Sequence, residues 1–264
     1  MSAAADPADA HAVDLARLYD LDLRDDPGDL DLYLALADRA EGPILELAAG
    51  SGRLAVPLAA AGHEVTAVDI DPHMLARAKE RAIVSGIPEG RLHLAQGDLL
   101  DLRPAEAPRH ALAFIALNSI MLMDSRDAQR GAVRTLAAHL RPGGLAVVDA
   151  WLPDADDLGR YDGRLILEWI RTDPASGETV TKSGSAVHDA ATGTITLTAI
   201  FDQIGRDGAT RRWIRQDRLR IVSADELSAF AQDAGLRVEM VAGSYDLTPL
   251  GPGAERAIVI AERA

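Results

Sequence analysis

The residues best suited to chemistry are Glu46-Leu47-Ala48-Ala49-Gly50-Ser51-Gly52-Arg53. Gly50 and Gly52 let the backbone turn sharply and let a ligand approach the main chain. The helix that follows such a turn presents free N–H groups. A tight strand-to-helix turn without a ligand would use the same glycines. Asp69 ends the run Val65-Thr66-Ala67-Val68-Asp69, where a carboxylate can accept two hydrogen bonds from a ribose diol. Asp98, in Gly97-Asp98-Leu99-Leu100, can accept from an adenine amino group while the Leu99 backbone reads the ring edge. Each acid also has a plainer reading as a strand-end residue or cap. Asp71 is the better cap for a helix entered through Pro72. Together the three segments describe a nucleoside pocket.

The elements that must position these residues alternate between strand and helix. Pro43–Leu47, Glu64–Val68, Arg91–Gln96, Ala111–Leu117 and Leu145–Val148 read as strands. Helices are expected over Leu54–Ala61, from Pro72 to Ser85, and over Asp127–Leu140, the last stopped by Pro142-Gly143-Gly144. Such alternation implies a parallel sheet covered on both faces, with the candidate acids at its carboxyl edge. Two short helices within about Ala10–Ala40 precede it, separated by the turn Asp25-Asp26-Pro27-Gly28. After Trp151 the texture changes. Arg164–Arg171, Val180–Val187, Thr194–Gln203 and Arg211–Val222 read as an antiparallel meander joined by Gly-containing turns. A helix over Ala224–Ala234 follows, with Ser223 and Glu226 spaced as a capping box. Strands Arg237–Val241 and Ala257–Ala261 close the sequence.

Composition narrows the function. The 264 residues carry 27 basic against 41 acidic side chains, a formal charge of −14. Such a surface repels phosphate backbones and anionic lipid, so neither nucleic acid nor membrane is the expected partner. With no cysteine, disulfides, thiolate metal sites, iron–sulfur clusters and cysteine nucleophiles are excluded. The seven histidines are scattered without a close pair, and no metal is expected. No run of about 18 apolar residues is present, which argues against a transmembrane helix. Met1–Ala10 lacks the features of a signal peptide, so the expected location is the cytoplasm.

Two nucleoside ligands compete. Gly50-x-Gly52-x-x-Ala55 with Asp69, 19 residues after Gly50, also fits dinucleotide binding and hence an NAD(P)-dependent oxidoreductase. Three features argue against it. Glu46 suits a cationic amino-acid end of a ligand and not a pyrophosphate. Asp98 adds an acid where an adenine would lie. The second half of the chain is a meander and not another mononucleotide-binding half.

With these residues the chain resembles the class I S-adenosylmethionine-dependent methyltransferases, in the small-molecule branch that includes glycine and amino-sugar N-methyltransferases. Glu46–Gly52 matches the family's first motif, with Ala48 in place of the first of three alternating glycines. Val68–Leu75 resembles the second motif and Gly97-Asp98-Leu99 the third. Leu140–Gly144 resembles the turn before the fifth strand, and Tyr245-Asp246-Leu247-Thr248-Pro249 the hairpin before the last.

The resemblance implies an α/β, Rossmann-like methyltransferase sheet with an antiparallel β-meander insertion after the fifth strand. It implies one domain over 1–264. Residues 1–40 would be a helical lid, 41–152 the cofactor-binding core, 160–222 the insertion and 223–264 the return to the core sheet. Glu46, Ala48, Gly50 and Gly52 would hold the methionine part of S-adenosyl-L-methionine, Asp69 the ribose and Ile70 the adenine face. Asp98 and Leu99 would read the adenine edge. Asn118 would lie where cofactor and acceptor meet, and Tyr19 resembles an N-terminal tyrosine near both. These two are the candidate catalytic residues. Tyr33, Trp151, His188 and Tyr245 are candidates for the acceptor pocket. The implied reaction is in-line methyl transfer to nitrogen, oxygen or carbon of a small molecule, giving S-adenosyl-L-homocysteine. A non-catalytic cofactor-binding module is the other alternative. The meander's outer strands need covering, which a homodimer would do.

Overall fold

The computed structural model describes residues 7–25, 27–103 and 109–264, so Asp26 of the expected turn lies outside the described residues. The chain divides into two compact units. One takes the first helix and Ala155–Leu219, and the other takes Pro27–Asp154 with Arg220–Ala264.

The larger unit is built on seven strands in the order β10-β11-β5-β4-β1-β2-β3. They are β1 (Ile44–Leu47), β2 (Val65–Asp69), β3 (Leu92–Gln96), β4 (His110–Ile115), β5 (Leu140–Trp151), β10 (Leu236–Ala242) and β11 (Arg256–Arg263). The first five are parallel, while β11 runs antiparallel to both β5 and β10. Every residue of β1 and β4 is buried, as expected for central strands covered on both faces. Alternation along the strands sends Ile44, Val65, Leu112, Phe114, Leu145 and Val147 to one core. There they meet α2 (Leu30–Ala40) and α3 (Ala55–Ala60). The remaining helices of this unit are α4 (Pro72–Val84), α5 (Arg126–His139) and α7 (Ala224–Asp233).

Local signals set the helix starts. Asp71 accepts from the His73 N–H at 2.8 Å and Pro72 fills the first turn, as the sequence predicts. Ser223 and Glu226 form the expected reciprocal capping box on α7. The Pro142-Gly143-Gly144 turn is a correction. Helix α5 ends at His139 and β5 begins at once, with the turn inside the strand. Pairing passes from His110↔Leu140 to Leu112↔Leu145, so four residues on β5 oppose one on β4. The Pro-Gly-Gly segment absorbs the excess as a bulge.

The smaller unit holds α1 (Pro7–Asp22), α6 (Ala155–Arg160) and an antiparallel sheet in sequential order. Its strands are β6 (Ile166–Thr172), β7 (Thr179–Asp189), β8 (Thr194–Ile204) and β9 (Thr210–Arg220, whose last residue belongs to the larger unit). The meander matches the expectation. Helix α6 was not expected from the sequence: at six residues it is too short to show a periodicity. Leu18 and Leu21 of α1 pack on Val180, Phe201 and Trp213. Arg17 anchors the helix to buried Asp173 and, at 2.8 Å, to Gln203.

Among the described residues no helix is long and apolar enough to cross a membrane. His110, at the start of β4, is buried at 7% exposure. Burial pulls its pKa down to about 4, against a smaller upward pull from its bond to the His139 carbonyl. The folded value lies below the unfolded one near 6.5, so the stabilisation is complete above pH 6.5 and is lost as pH falls toward 4. We expect melting experiments to show about 2–3 kcal/mol lost over that window, and less in His110→Asn.

Candidate active site

In the larger unit, five of the residues singled out by type come together. Ala48, Asp69, Ile70, Asp98 and Leu99 line one pocket of about 440 Å³ with Met123 and its neighbours. The pocket sits at the carboxyl ends of β1, β2 and β3, where open α/β sheets take ligands.

Asp69 organises this edge. Its Oδ2 accepts from the Gly50 N–H at 2.7 Å and its Oδ1 from the Asp71 N–H at 2.9 Å. Burial raises its pKa, partly offset by these two bonds. It therefore braces the glycine loop. Gly50 and Gly52 adopt φ of 55° and 73°. Ala48 has φ of 57°, a left-handed conformation that costs a residue with a Cβ about 1 kcal/mol. Ile70 is 65% exposed and offers an open apolar face. Asp98 is also exposed, and its Oδ1 takes the Leu100 N–H at 2.8 Å.

Glu46 is different. At 4% exposure it is buried, and its Oε2 has no hydrogen-bond partner. Burial pushes its pKa up to about 8, against the opposing charge of Arg53 and a hydrogen bond from the Ala55 N–H. Arg53 already faces Asp29, which is fully buried and accepts both guanidinium nitrogens at 2.5 and 2.6 Å. One cation thus serves two carboxylates. A cationic ligand group would complete the set.

A second polar cluster lies at the end of β5. Asp149, with no exposed surface, accepts from Arg256 Nε at 2.9 Å, Tyr245 Oη at 2.8 Å and the Leu117 N–H at 3.2 Å. The Arg256 guanidinium lies 4.3 Å from the Tyr245 ring centroid. Asn118 Oδ1 accepts from the Trp151 N–H at 2.6 Å. Leu117 and Asn118 both have positive φ, so these bonds shape the strap leading to Ser119–Leu122, a 3-10 turn.

The residues expected around the acceptor are divided between the two units. Tyr33 is fully buried with its ring 4.4 Å from that of Phe114, so it lines no open cavity. The reason is the stripe Leu32, Tyr33, Leu36 and Ala37, which turns it inward. Burial first, and the charge of Asp149 next, raise the pKa of both Tyr33 and Tyr245 well above the usual phenol value. Neither phenol is suited to accept a proton. Trp151 gives its N–H to Asn118. Tyr19 and His188 belong to the smaller unit. There Tyr19 lines a separate cavity of about 510 Å³ and meets the Arg215 guanidinium at 5.5 Å. The His188 N–H donates to the Tyr161 carbonyl at 3.0 Å. Asp29, Asp149 and Arg256 carry no sequence signal. Each is a lone charge whose partner is distant in sequence. Among the described residues no cluster of three potential metal ligands exists.

Comparison with known proteins agrees with this geometry. Residues 44–144 match the Methyltransferase domain family. An uncharacterised protein of Mycobacterium tuberculosis is 36% identical over 117 residues. The match spans 42% of this chain and only 38% of that relative. The dTDP-3-amino-3,4,6-trideoxy-alpha-D-glucopyranose N,N-dimethyltransferase of Streptomyces venezuelae is 25% identical over 243 residues, 88% of this chain and 94% of that protein. An S-adenosylmethionine-dependent methyltransferase of Clostridium acetobutylicum has the same fold, with a TM-score of 0.78 at 16% identity over 95% of this chain and 98% of that one.

Two substitutions probe the site without any ligand. Ala48→Gly is expected to raise stability by about 1 kcal/mol in chemical denaturation. Glu46 holds its proton longer folded than unfolded, so the ligand-free protein loses stability as pH rises from about 4.5 to 8. Glu46→Gln removes that slope, and at pH 8 it is expected to be more stable than the parent by about 2–4 kcal/mol.

Proposed function

We propose that this chain, a class I S-adenosylmethionine-dependent methyltransferase by family, transfers a methyl group from S-adenosyl-L-methionine to a nucleophilic atom of a small organic molecule. The observation that carries the reading is the pocket that gathers Ala48, Asp69, Ile70, Asp98 and Leu99 at one sheet edge. The orphaned Glu46 oxygen supports it, because an amino-acid end of a ligand brings the missing cation.

The donor set fits the group. Asp69 would hold the ribose hydroxyls, and Ile70 would cover one adenine face. Asp98 and the Leu99 backbone would read the adenine edge. Glu46 would take the α-ammonium, and the positive-φ backbone of Ala48 and Gly50 would let the methionine part approach. When bound, the sulfonium supplies a methyl that is already activated. The protein's own task is therefore alignment and exclusion of water, which can lower such a barrier by roughly 7–11 kcal/mol. Asn118 would act as a positioning residue, fixing the strap after β4 through Trp151. Tyr19 would act on the acceptor side. The N,N-dimethyltransferase activity of the Streptomyces venezuelae relative favours nitrogen on an amino sugar as the atom methylated.

Thermal melting with S-adenosylmethionine, S-adenosylhomocysteine, NAD and NADP tests this. At about 100 times Kd the two sulfur nucleosides are expected to raise Tm by roughly 5–10 °C and the dinucleotides to leave it unchanged. A shift with a dinucleotide alone would overturn the reading. Asp69→Ala is expected to weaken S-adenosylhomocysteine binding by about 1–3 kcal/mol in calorimetry. An unchanged Kd would remove Asp69 from the site.

A further inference from the structure

Glu46 sits between apolar neighbours. On β1 it pairs with Ala67 of β2 on one side and with Phe114 of β4 on the other. Neither side chain can donate a hydrogen bond. The Tyr33 ring of α2 packs on Phe114, and its hydroxyl is buried without a partner of its own. What reaches the Glu46 carboxyl is the Ala55 N–H at the start of α3 and the charge of Arg53. Its Oε2 is left with nothing.

Asp29 governs how much of the Arg53 charge Glu46 receives. It lies just before α2, has no exposed surface, and takes two guanidinium nitrogens of Arg53. Such a two-pronged pair fixes the plane of the guanidinium. Arg53 therefore divides its charge between two buried carboxyls. Asp29 and Asp69 of β2 also oppose a charge on Glu46 directly. Burial, the largest cause, and these two acids together raise the Glu46 pKa to about 8, against the pull of Arg53 and the Ala55 N–H. An ionised carboxylate with an unmatched oxygen is costly out of water, so the neutral acid is the cheaper state until a cation arrives.

We propose that Glu46 carries a proton in the ligand-free protein near neutral pH, that the α-ammonium of the cofactor expels this proton to solvent, and that Asp29 sets the exchange by holding Arg53 back. The carboxyl O–H bond breaks, its electron pair stays on Glu46, and the proton passes to water or buffer. The α-ammonium enters already charged, so no other group changes its protonation. Asp29 is here a positioning residue that acts through Arg53. The state of Glu46 in the free protein stands by itself, while its exchange with the cofactor rests on the function proposed above.

The test uses the full chain. Infrared difference spectra of the ligand-free protein at about pH 7, parent minus Glu46→Gln, are expected to contain the carbonyl band of a protonated carboxyl. Calorimetry with S-adenosylhomocysteine, in buffers of different ionisation enthalpy, then counts protons. About one proton is expected to leave per molecule bound near pH 7, and none in Glu46→Gln. None is expected with 5′-methylthioadenosine, which lacks the amino-acid end. From about pH 6 to 7.5 the S-adenosylhomocysteine Kd is expected to fall by about tenfold per pH unit, and that of 5′-methylthioadenosine to stay flat. Asp29→Asn and Asp29→Ser, which free Arg53 for Glu46, are expected to shrink the band and to cut the release to less than about half. Lost packing alone would weaken binding without changing the proton count. A missing band, S-adenosylhomocysteine binding without proton release, or a count unmoved in both Asp29 variants would overturn the proposal and leave the cofactor assignment intact. If the band is present and S-adenosylhomocysteine does not bind, the methyltransferase reading fails and the protonated Glu46 stands.

Discussion

A carboxylate held out of water at the end of β1 is the constraint on which the larger unit depends. Glu46 lies on a strand whose every residue is buried, and its ionised form is costly there. Arg53 offsets part of that cost. Yet Arg53 is itself fixed by Asp29, so the guanidinium cannot turn wholly to Glu46. This three-charge cluster ties the residue before α2, the end of β1 and the loop after it into one rigid edge. The cluster still leaves the Glu46 Oε2 without a hydrogen-bond partner.

Two acids around one base occur a second time. Asp22, Lys182 and Glu168 repeat the pattern of two acids around one base, on different elements and with lysine in place of arginine. A fully neutralised cluster would be more stable without a ligand and would have nothing to offer one. Where the chain does neutralise a buried acid, as Arg256 and Tyr245 do at Asp149, the result is a fixed joint and not an opening.

The legible part of this protein is the part whose information is local. Gly50, Gly52 and Asp69 announce themselves because a turn and a strand end need few neighbours to be recognised. The Ser223–Glu226 capping box and the Gly-rich turns of the meander are read for the same reason. Asp98 and Leu99 reach the pocket with Asp69, as their strand-end positions imply. What could not be read depends on partners brought from afar. Asp29 looks like any acid before a helix until Arg53 folds onto it. Nothing near Tyr245 in sequence points to Asp149, which takes its hydroxyl from 96 positions away. Lys182 is one of only two lysines, yet nothing near it in sequence points to Asp22, 160 positions away. The helix before Pro142-Gly143-Gly144 ends where expected, but the early start of β5 is hidden because proline and glycine mark a turn equally well inside a bulged strand and at a helix end.

The position of β11 has a consequence for synthesis. Residues 256–263 are inserted between β5 and β10 and are therefore interior to the sheet, although they follow all the other strands in the chain. While a ribosome has produced only the residues up to α7, β5 is an open edge and Asp149 has no Arg256 to meet. An apolar edge and an unmatched buried acid then coexist in the nascent chain, a state prone to pair with a neighbour. Strand β11 closes that edge and brings Arg256 to Asp149.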